Sequence, residues 1–262
     1  MVLIKDKDSH HLDALFLCKF GSKQSVKISD MHKLYVLTGA GMSAESGIKT
    51  FRDSGGLWEE YDVMTVASIE GWYQNPQLVL KFYNERRRQL EGAKPNAGHL
   101  GLAELQKYFD VHIITQNVDN LHERAGSKHV LHLHGELTKV RGVDHPASVY
   151  DIGYKDINWG DKSEGDSQLR PHIVWFGEAV PAFDEAVEMV HNADVFAVVG
   201  TSLNVYPAAG LLDYVPSNVP IYLIDPNEVP HSKKVEFIKE KAGAGVEILK
   251  DKLFKRFNII PQ

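Results

Sequence analysis

"YVLTGAGMSAESGIKTFRDSGGLW", residues Tyr35 to Trp58, opens as a strand running into a glycine turn and then does not continue as such a unit ordinarily does. Gly39-Ala40-Gly41-Met42-Ser43-Ala44 satisfies the G-x-G-x-x-[G/A] pattern, so free backbone N–H groups and a helix N-terminus can cradle a diphosphate. An ordinary dinucleotide unit next delivers a second strand whose end, about 20 residues on, carries an acid that binds a ribose. Glu59 and Glu60 stand at that distance, but the preceding "IKTFRDSGGLW" is no strand, which disfavours hydride transfer. A turn serving only helix–strand packing explains the glycines but not Phe51-Arg52-Asp53 followed by Gly55-Gly56. A loop folding over a bound dinucleotide explains them: glycines hinge it, an aromatic shields a reacting centre, and Arg52 meets phosphate.

Short apolar runs recur outward from that stretch: "KLYVLT" (33–38), "DVHIIT" (110–115), "HVLHLH" (129–134), "HIVWF" (172–176), "DVFAVVG" (194–200) and "PIYLID" (220–225). Most are continuous and rich in Val and Ile, as strands buried on both faces are. Helical patterns lie between them, "PQLVLKFYNERRRQL" (76–90) and "HLGLAELQKY" (99–108). The expected fold is α/β, a Rossmann-like parallel sheet with helices on both faces. Ligands then sit beyond the carboxyl ends of the strands. Two stretches break the rhythm and read as a smaller inserted lobe, so the large lobe is expected over 31–57, 97–137 and 173–262 and the small one over 58–96 and 138–172. Residues 1–30 read as an N-terminal extension without a secretory signal.

Composition narrows the function. The 262 residues, 43% hydrophobic and 24% charged, suffice for a large core. A formal charge of −6 and a pI near 6.1 give no basic footprint for nucleic acid. Cys18 is the sole cysteine, and no apolar run reaches the roughly 18 to 20 residues of a membrane helix. A cytoplasmic setting is expected.

Gln116, Asn117 and Asp119 follow "DVHIIT" and stand beside the glycine turn, as a cap for the next helix or as site residues. His134 ends "HVLHLH" at the same cleft, where imidazole suits proton abstraction near neutral pH. His132 and His134 in "HLH" share a strand face, so a metal held by both is a rival reading. Tyr83 and Arg86 are three apart on a helix and share a face, where phenol and guanidinium can receive a carboxylate; the alternative is a solvated Arg86-Arg87-Arg88 run.

"GAGMSAESGIKTFR", "TQNVDNLH", "LHGEL", "VWFGE" and "GTSLNVYPAAG", in that order between Lys33 and Val246, resemble the sirtuins, NAD-dependent protein lysine deacylases. The resemblance implies an NAD site of Gly39, Ala40, Gly41, Ser43, Ala44, Gly47, Phe51, Arg52 and Trp58 on the first loop. It continues through Gln116 at a ribose and Asn117 and Asp119 at the nicotinamide end, then Gly200, Thr201 and Ser202 at phosphate, with Leu223, Asp225 and Ala244 beyond. The family often has Asn where Leu223 stands, so one adenosine-ribose contact departs from the pattern. It implies that Val174, Phe176, Gly177 and Glu178 bind the acylated-lysine protein substrate by strand addition. It implies Asn117 and His134 as catalytic residues: the acyl-lysine carbonyl oxygen attacks C1′ of the nicotinamide ribose, and His134 then takes a proton from a ribose hydroxyl. Products would be lysine, nicotinamide and O-acyl-ADP-ribose.

Tyr83 and Arg86 match the acidic-acyl motif of desuccinylating sirtuins, and Ala67 the small residue that opens their acyl pocket. Succinyl- and malonyl-lysine are therefore expected to be favoured over acetyl-lysine. Most sirtuins staple the small lobe with zinc on four cysteines; between Arg141 and Arg170 there is none, so no metal is expected and packing through Tyr150, Tyr154 and Trp159 must serve instead. Alternatives in the same cleft are an ADP-ribosyltransferase or NAD glycohydrolase, and a non-catalytic NAD sensor.

Overall fold

The computed structural model describes residues 31–48 and 61–260. The N-terminal extension and the loop residues Phe51, Arg52 and Trp58 lie outside the described residues. Six parallel strands form the main sheet: β1 (Lys33–Thr38), β2 (Asp110–Thr115), β3 (Val130–His132), β7 (Val195–Val199), β8 (Ile221–Ile224) and β9 (Glu236–Ile238). Their order is β3-β2-β1-β7-β8-β9, so the chain reverses direction across the sheet between β1 and β7. That switch point opens a crevice at the strands' carboxyl ends. β1, β7 and β8 are almost wholly buried, and the two sheet faces carry separate apolar clusters, one around Leu37, Phe196 and Leu223, the other around Val36, Ala197 and Leu253.

A second sheet is antiparallel, β5 (Val149–Asp151), β4 (Gly135–Gly142) and β6 (Leu169–Ile173) in that order. "HIVWF" therefore does not join the parallel sheet. Its first two residues end β6, which pairs antiparallel with β4, and Val174 to Phe176 run on as extended chain. The antiparallel sheet also starts at Gly135, three residues before the boundary expected for the small lobe.

Among the described residues the helices include α1 (Ala40–Ala44), α2 (Val63–Val66), α3 (Ile69–Gln74), α4 (Pro76–Gly92), α5 (Ala97–Leu105), α6 (Leu121–Ala125), α7 (Phe183–Val190), α8 (Leu211–Tyr214) and α9 (Ala242–Phe257). Local chemistry starts them. Asp62, Ser68 and Asn75 each accept a backbone N–H of the following turn, and Pro76 follows Asn75 at the first helical position. Asn96 and His99 form a reciprocal capping box on α5. None of these helices is long and apolar enough to cross a membrane.

Only Arg88 of the arginine run on α4 is on a solvated face. Arg87 is fully buried; its Nε donates to the Lys155 carbonyl at 3.0 Å and its Nη2 to Asn84 Oδ1 at 2.7 Å. Asn84 clasps the Ile157 backbone from both sides, at 2.9 and 3.0 Å. Arg88 pairs with Asp156 at 2.6 Å. Helix α4 is thus fastened to residues 155–157. Of the aromatic residues expected to pack there, Tyr150 and Tyr154 join the cluster around Trp175 and Leu137, and Tyr154 also meets Asn120. Trp159 is largely exposed beside Trp72.

Candidate active site

A cleft of about 800 Å³ lies at the carboxyl ends of β1, β2, β7 and β8, near the upper end for small-molecule sites. From β1 come Gly39, Ala40, Gly41, Ser43 and Ala44; from β2, Gln116, Asn117 and Asp119; from the β3–β4 connection, His134; from β7, Gly200, Thr201 and Ser202; from β8, Asp225. Ala67, Tyr83, Arg86, Val174, Phe176, Gly177 and Glu178 complete the lining. Three expected residues are not among those that line the cleft. Gly47 is a left-handed turn residue at φ +82, Leu223 is fully buried in the sheet, and Ala244 is on the exposed side of α9. Glu45, Tyr206 and Lys241 line the cleft without having been singled out. Glu45 and Tyr206 lie inside the quoted motifs, next to residues that line the cleft, whereas Lys241 comes from a distant stretch of the chain; Glu45 also accepts the Gly243 N–H at 2.8 Å and so ties the first turn of α9 to α1.

The glycines are set by the meeting of two turns. Gly41 N donates to the Gly200 carbonyl at 2.8 Å, and a Cβ on Gly41 would stand 2.8 Å from the Gly200 Cα. A Cβ on Gly39 would stand 2.6 Å from the Thr201 Cβ. Gly200 itself has φ +63. The packing reading of the glycine pattern therefore holds, at a turn that also lines the cleft.

Beneath the cleft lies a buried polar network. The Asn117 amide donates to the Gly39 carbonyl (3.0 Å) and Ser43 Oγ (3.1 Å), and Ser43 donates to Asp119 Oδ2 at 2.8 Å. Asp119 also accepts the Leu121 N–H at 3.1 Å. Burial raises the Asp119 pKa, with these two hydrogen bonds acting against it. Gln116 donates to Thr201 at 3.0 Å, bridging β2 and β7.

His134 Nδ1 lies 3.0 Å from the Gln116 carbonyl. A carbonyl only accepts, so Nδ1 carries the proton and Nε2 is the basic nitrogen. Among the described residues Nε2 has no hydrogen-bond partner. Burial lowers the pKa, against the Gln116 bond, so the ring is neutral near pH 7. His132 reaches different partners, the Asn117 carbonyl and Glu123, and among the described residues no three of His, Cys, Asp and Glu converge as metal ligands.

On the far side, Trp175 Nε1 donates to the Tyr83 hydroxyl at 2.9 Å. Burial pushes the Tyr83 pKa up to about 12, with Arg86 opposing, so the phenol keeps its proton. Burial lowers the Arg86 pKa, with Tyr83 and Asp119 opposing. Glu178 is tied down: Arg170 reaches both its oxygens, at 2.7 and 2.9 Å, and the Trp175 N–H donates to it at 2.9 Å. The Arg170 guanidinium lies 3.5 Å from the Trp175 ring centroid. The edge expected for strand addition is partly used, since Phe176 pairs with Ala67 and Ile69, and Val174 N–H donates to the His134 carbonyl.

A crevice at a sheet's switch point, with glycine turns, phosphate-ready hydroxyls and a neutral imidazole, defines a dinucleotide-using enzyme. Residues 39–207 match the model of the Sir2 family. An NAD-dependent protein deacylase of Bacteroides thetaiotaomicron is 56% identical over 230 residues, covering 85% of this chain and 98% of that one. One of Helicobacter pylori is 53% identical over 227 residues, covering 86% and 99%. A Sir2 homologue mutant solved with ADP-ribose superposes with a TM-score of 0.80 at 38% identity, covering 90% of this chain and 97% of that one. A Sir2 homologue solved with NAD gives 0.78 at 39%, covering 87% and 92%. The chain belongs to the Sir2 family, and it is an NAD-dependent enzyme of the protein-deacylase type.

Proposed function

We propose that this cleft removes acyl groups from protein lysines with a preference for succinyl and malonyl over acetyl, releasing nicotinamide and O-acyl-ADP-ribose. The observation that carries the chemistry is the His134 tautomer, with Nδ1 committed to Gln116 and Nε2 left basic. The lining fits the dinucleotide: side-chain-free turns at Gly39, Gly41 and Gly200, hydroxyls at Thr201 and Ser202, the amide of Asn117 at one end and the carboxylate of Asp225 at the other. When bound, NAD supplies an electrophilic glycosidic carbon and an acidic ribose hydroxyl. His134 takes the hydroxyl proton at Nε2, a role that commonly contributes about 10²- to 10⁴-fold. Asn117, both of whose amide protons are directed to Gly39 and Ser43, presents Oδ1 as a fixed acceptor. Apolar walls from Val118, Ile173 and Trp175 exclude water, which would otherwise waste the dinucleotide.

Tyr83 and Arg86 support the acyl preference. Tyr83 Oη accepts from Trp175, leaving its own proton to donate, and Arg86 can grip a carboxylate bidentately. A charge-assisted hydrogen bond of about 1.5 to 3 kcal/mol corresponds to roughly ten- to a hundredfold. The substrate peptide would pair with the part of residues 174–178 not already bonded. The cytoplasm, expected from the single cysteine, is part of the proposal.

Mass spectrometry of acetyl-, succinyl- and malonyl-lysine peptides, with and without NAD, tests it. His134→Ala abolishes all turnover; Arg86→Met selectively impairs the acidic acyl groups. Equal losses on all three peptides for Arg86→Met remove the preference. Nicotinamide release without deacylation replaces the reaction with glycohydrolysis or ADP-ribosyl transfer.

A further inference from the structure

Two histidines reach successive carbonyls of one peptide segment. His134 Nδ1 meets the Gln116 carbonyl and His132 Nδ1 the Asn117 carbonyl, each at 3.0 Å. Their other nitrogens differ. His134 faces the cleft, whereas His132 Nε2 lies 2.8 Å from Glu123 Oε1 on α6, with the His132 side chain only 7% exposed. A carbonyl and a carboxylate are both acceptors, so both ring nitrogens of His132 must carry protons. The ring is an imidazolium, while its neighbour two residues on is neutral.

We propose that His132 is a positioning residue of the reaction: held as an imidazolium by Glu123, it pins the Asn117 carbonyl and thereby the Gln116–Asn117 segment that fixes the His134 tautomer and the Asn117 carboxamide. This rests on His134 being the base. The charge around the ring agrees. Burial works against the cation, but the hydrogen bond and charge of Glu123, with Glu136 on β4, raise the His132 pKa overall. Lys139 on β4 and His122 on α6 also face this group, His122 being held neutral by burial. Asp119, just before α6, also feels the charge of His132.

Deprotonation has a defined structural result. Neutral His132 keeps one proton, and the charge-assisted bond to Glu123 is the stronger of the two, so that proton stays on Nε2. Nδ1 then turns a lone pair toward the Asn117 carbonyl, and the clamp is lost. Activity should fall on the alkaline side of the optimum as well as on the acid side, where His134 is protonated.

The experiment is the single-turnover deacylation rate of an acetyl-lysine peptide against pH at saturating NAD. The full chain is used as wild type, Glu123→Gln, His132→Leu, His132→Gln and His134→Ala, with melting temperatures alongside. Wild type gives a bell. Glu123→Gln removes the alkaline limb, because an amide can turn to donate to Nε2 and the ring then keeps Nδ1–H on Asn117 at either charge. His132→Leu lowers the rate on the order of 10²-fold, the scale of a misplaced catalytic group, and His132→Gln, which restores one donor, recovers most of it. A flat alkaline side in wild type, an unchanged limb in Glu123→Gln, or a wild-type rate in His132→Leu overturns the inference. Should His132→Leu fail to fold, the Glu123→Gln limb decides. Turnover by His134→Ala would instead show that the base assignment has failed, independently of the clamp.

Discussion

The Trp175 indole hydrogen bonds the Tyr83 hydroxyl at 2.9 Å, both side chains almost wholly buried. One tyrosine thereby joins the wall of the cleft to the helix that carries Arg86. Tyr83→Phe should remove the acceptor, orphan the indole N–H and cost about 1 to 3 kcal/mol of stability. It should also cut kcat/KM for succinyl- and malonyl-lysine peptides about tenfold while sparing acetyl-lysine. Peptide kinetics beside thermal melts check both halves.

Arg87 fastens α4 to residues 155–157, in a stretch that has no cysteine. Burial lowers its pKa to about 10, yet the guanidinium remains charged at neutrality. Arg87→Ala should open a cavity, take the Arg87 donor from the Lys155 carbonyl and leave Asn84 Oδ1 with only the Ile157 N–H, destabilising by about 2 to 4 kcal/mol. Differential scanning calorimetry should show the loss; Arg88→Ala, which breaks only an exposed pair with Asp156, should cost under about 1 kcal/mol.

Acid should unfold the protein partly through His99. Burial depresses its pKa from the ordinary 6.5 to about 4, with Glu123 opposing, and its Nδ1 accepts the Asn96 N–H in the α5 cap. Above 6.5 the ring is neutral folded and unfolded, and its contribution is complete. As pH falls from 6.5 toward about 4 only the unfolded chain takes up the proton, so stability drops, by roughly 3 kcal/mol for this residue. His122, held still lower by burial and by His99, adds loss in the same direction. Urea midpoints across that window should flatten in His99→Gln.

Gly41→Ala should place a methyl 2.8 Å from the Gly200 Cα, against backbone that cannot swing aside. Stability and NAD affinity should fall together, read by melting and by calorimetric titration. Gly47→Ala, with open space among the described residues around a left-handed φ, should cost only conformational strain of about 1 kcal/mol and leave NAD binding intact.

Parallel strands were legible in the sequence because burial on both faces makes continuous Val-rich runs, as in β1, β7 and β8. "HIVWF" looks the same one-dimensionally, and only its pairing with β4 places it in another sheet. The polar stretch 141–170 hid β5 because its three residues are mostly exposed and carry no apolar alternation. Motif residues at strand ends converge on the cleft, since topology brings all carboxyl ends together. Leu223 is absent from the lining because its strand phase, invisible in spacing alone, turns it into the apolar cluster beneath the sheet. The arginine run divides into three fates, wall, clasp and surface pair, that only the facing segment 155–157 distinguishes.

Glu178 would, if bare, repel any acyl tail ending in a carboxylate. Arg170 saturates both its oxygens and Arg141 stands 3.4 Å away, so two guanidiniums face one carboxylate and a surplus positive charge remains. The single carboxylate in this part of the lining thus sits in a patch whose net charge is positive.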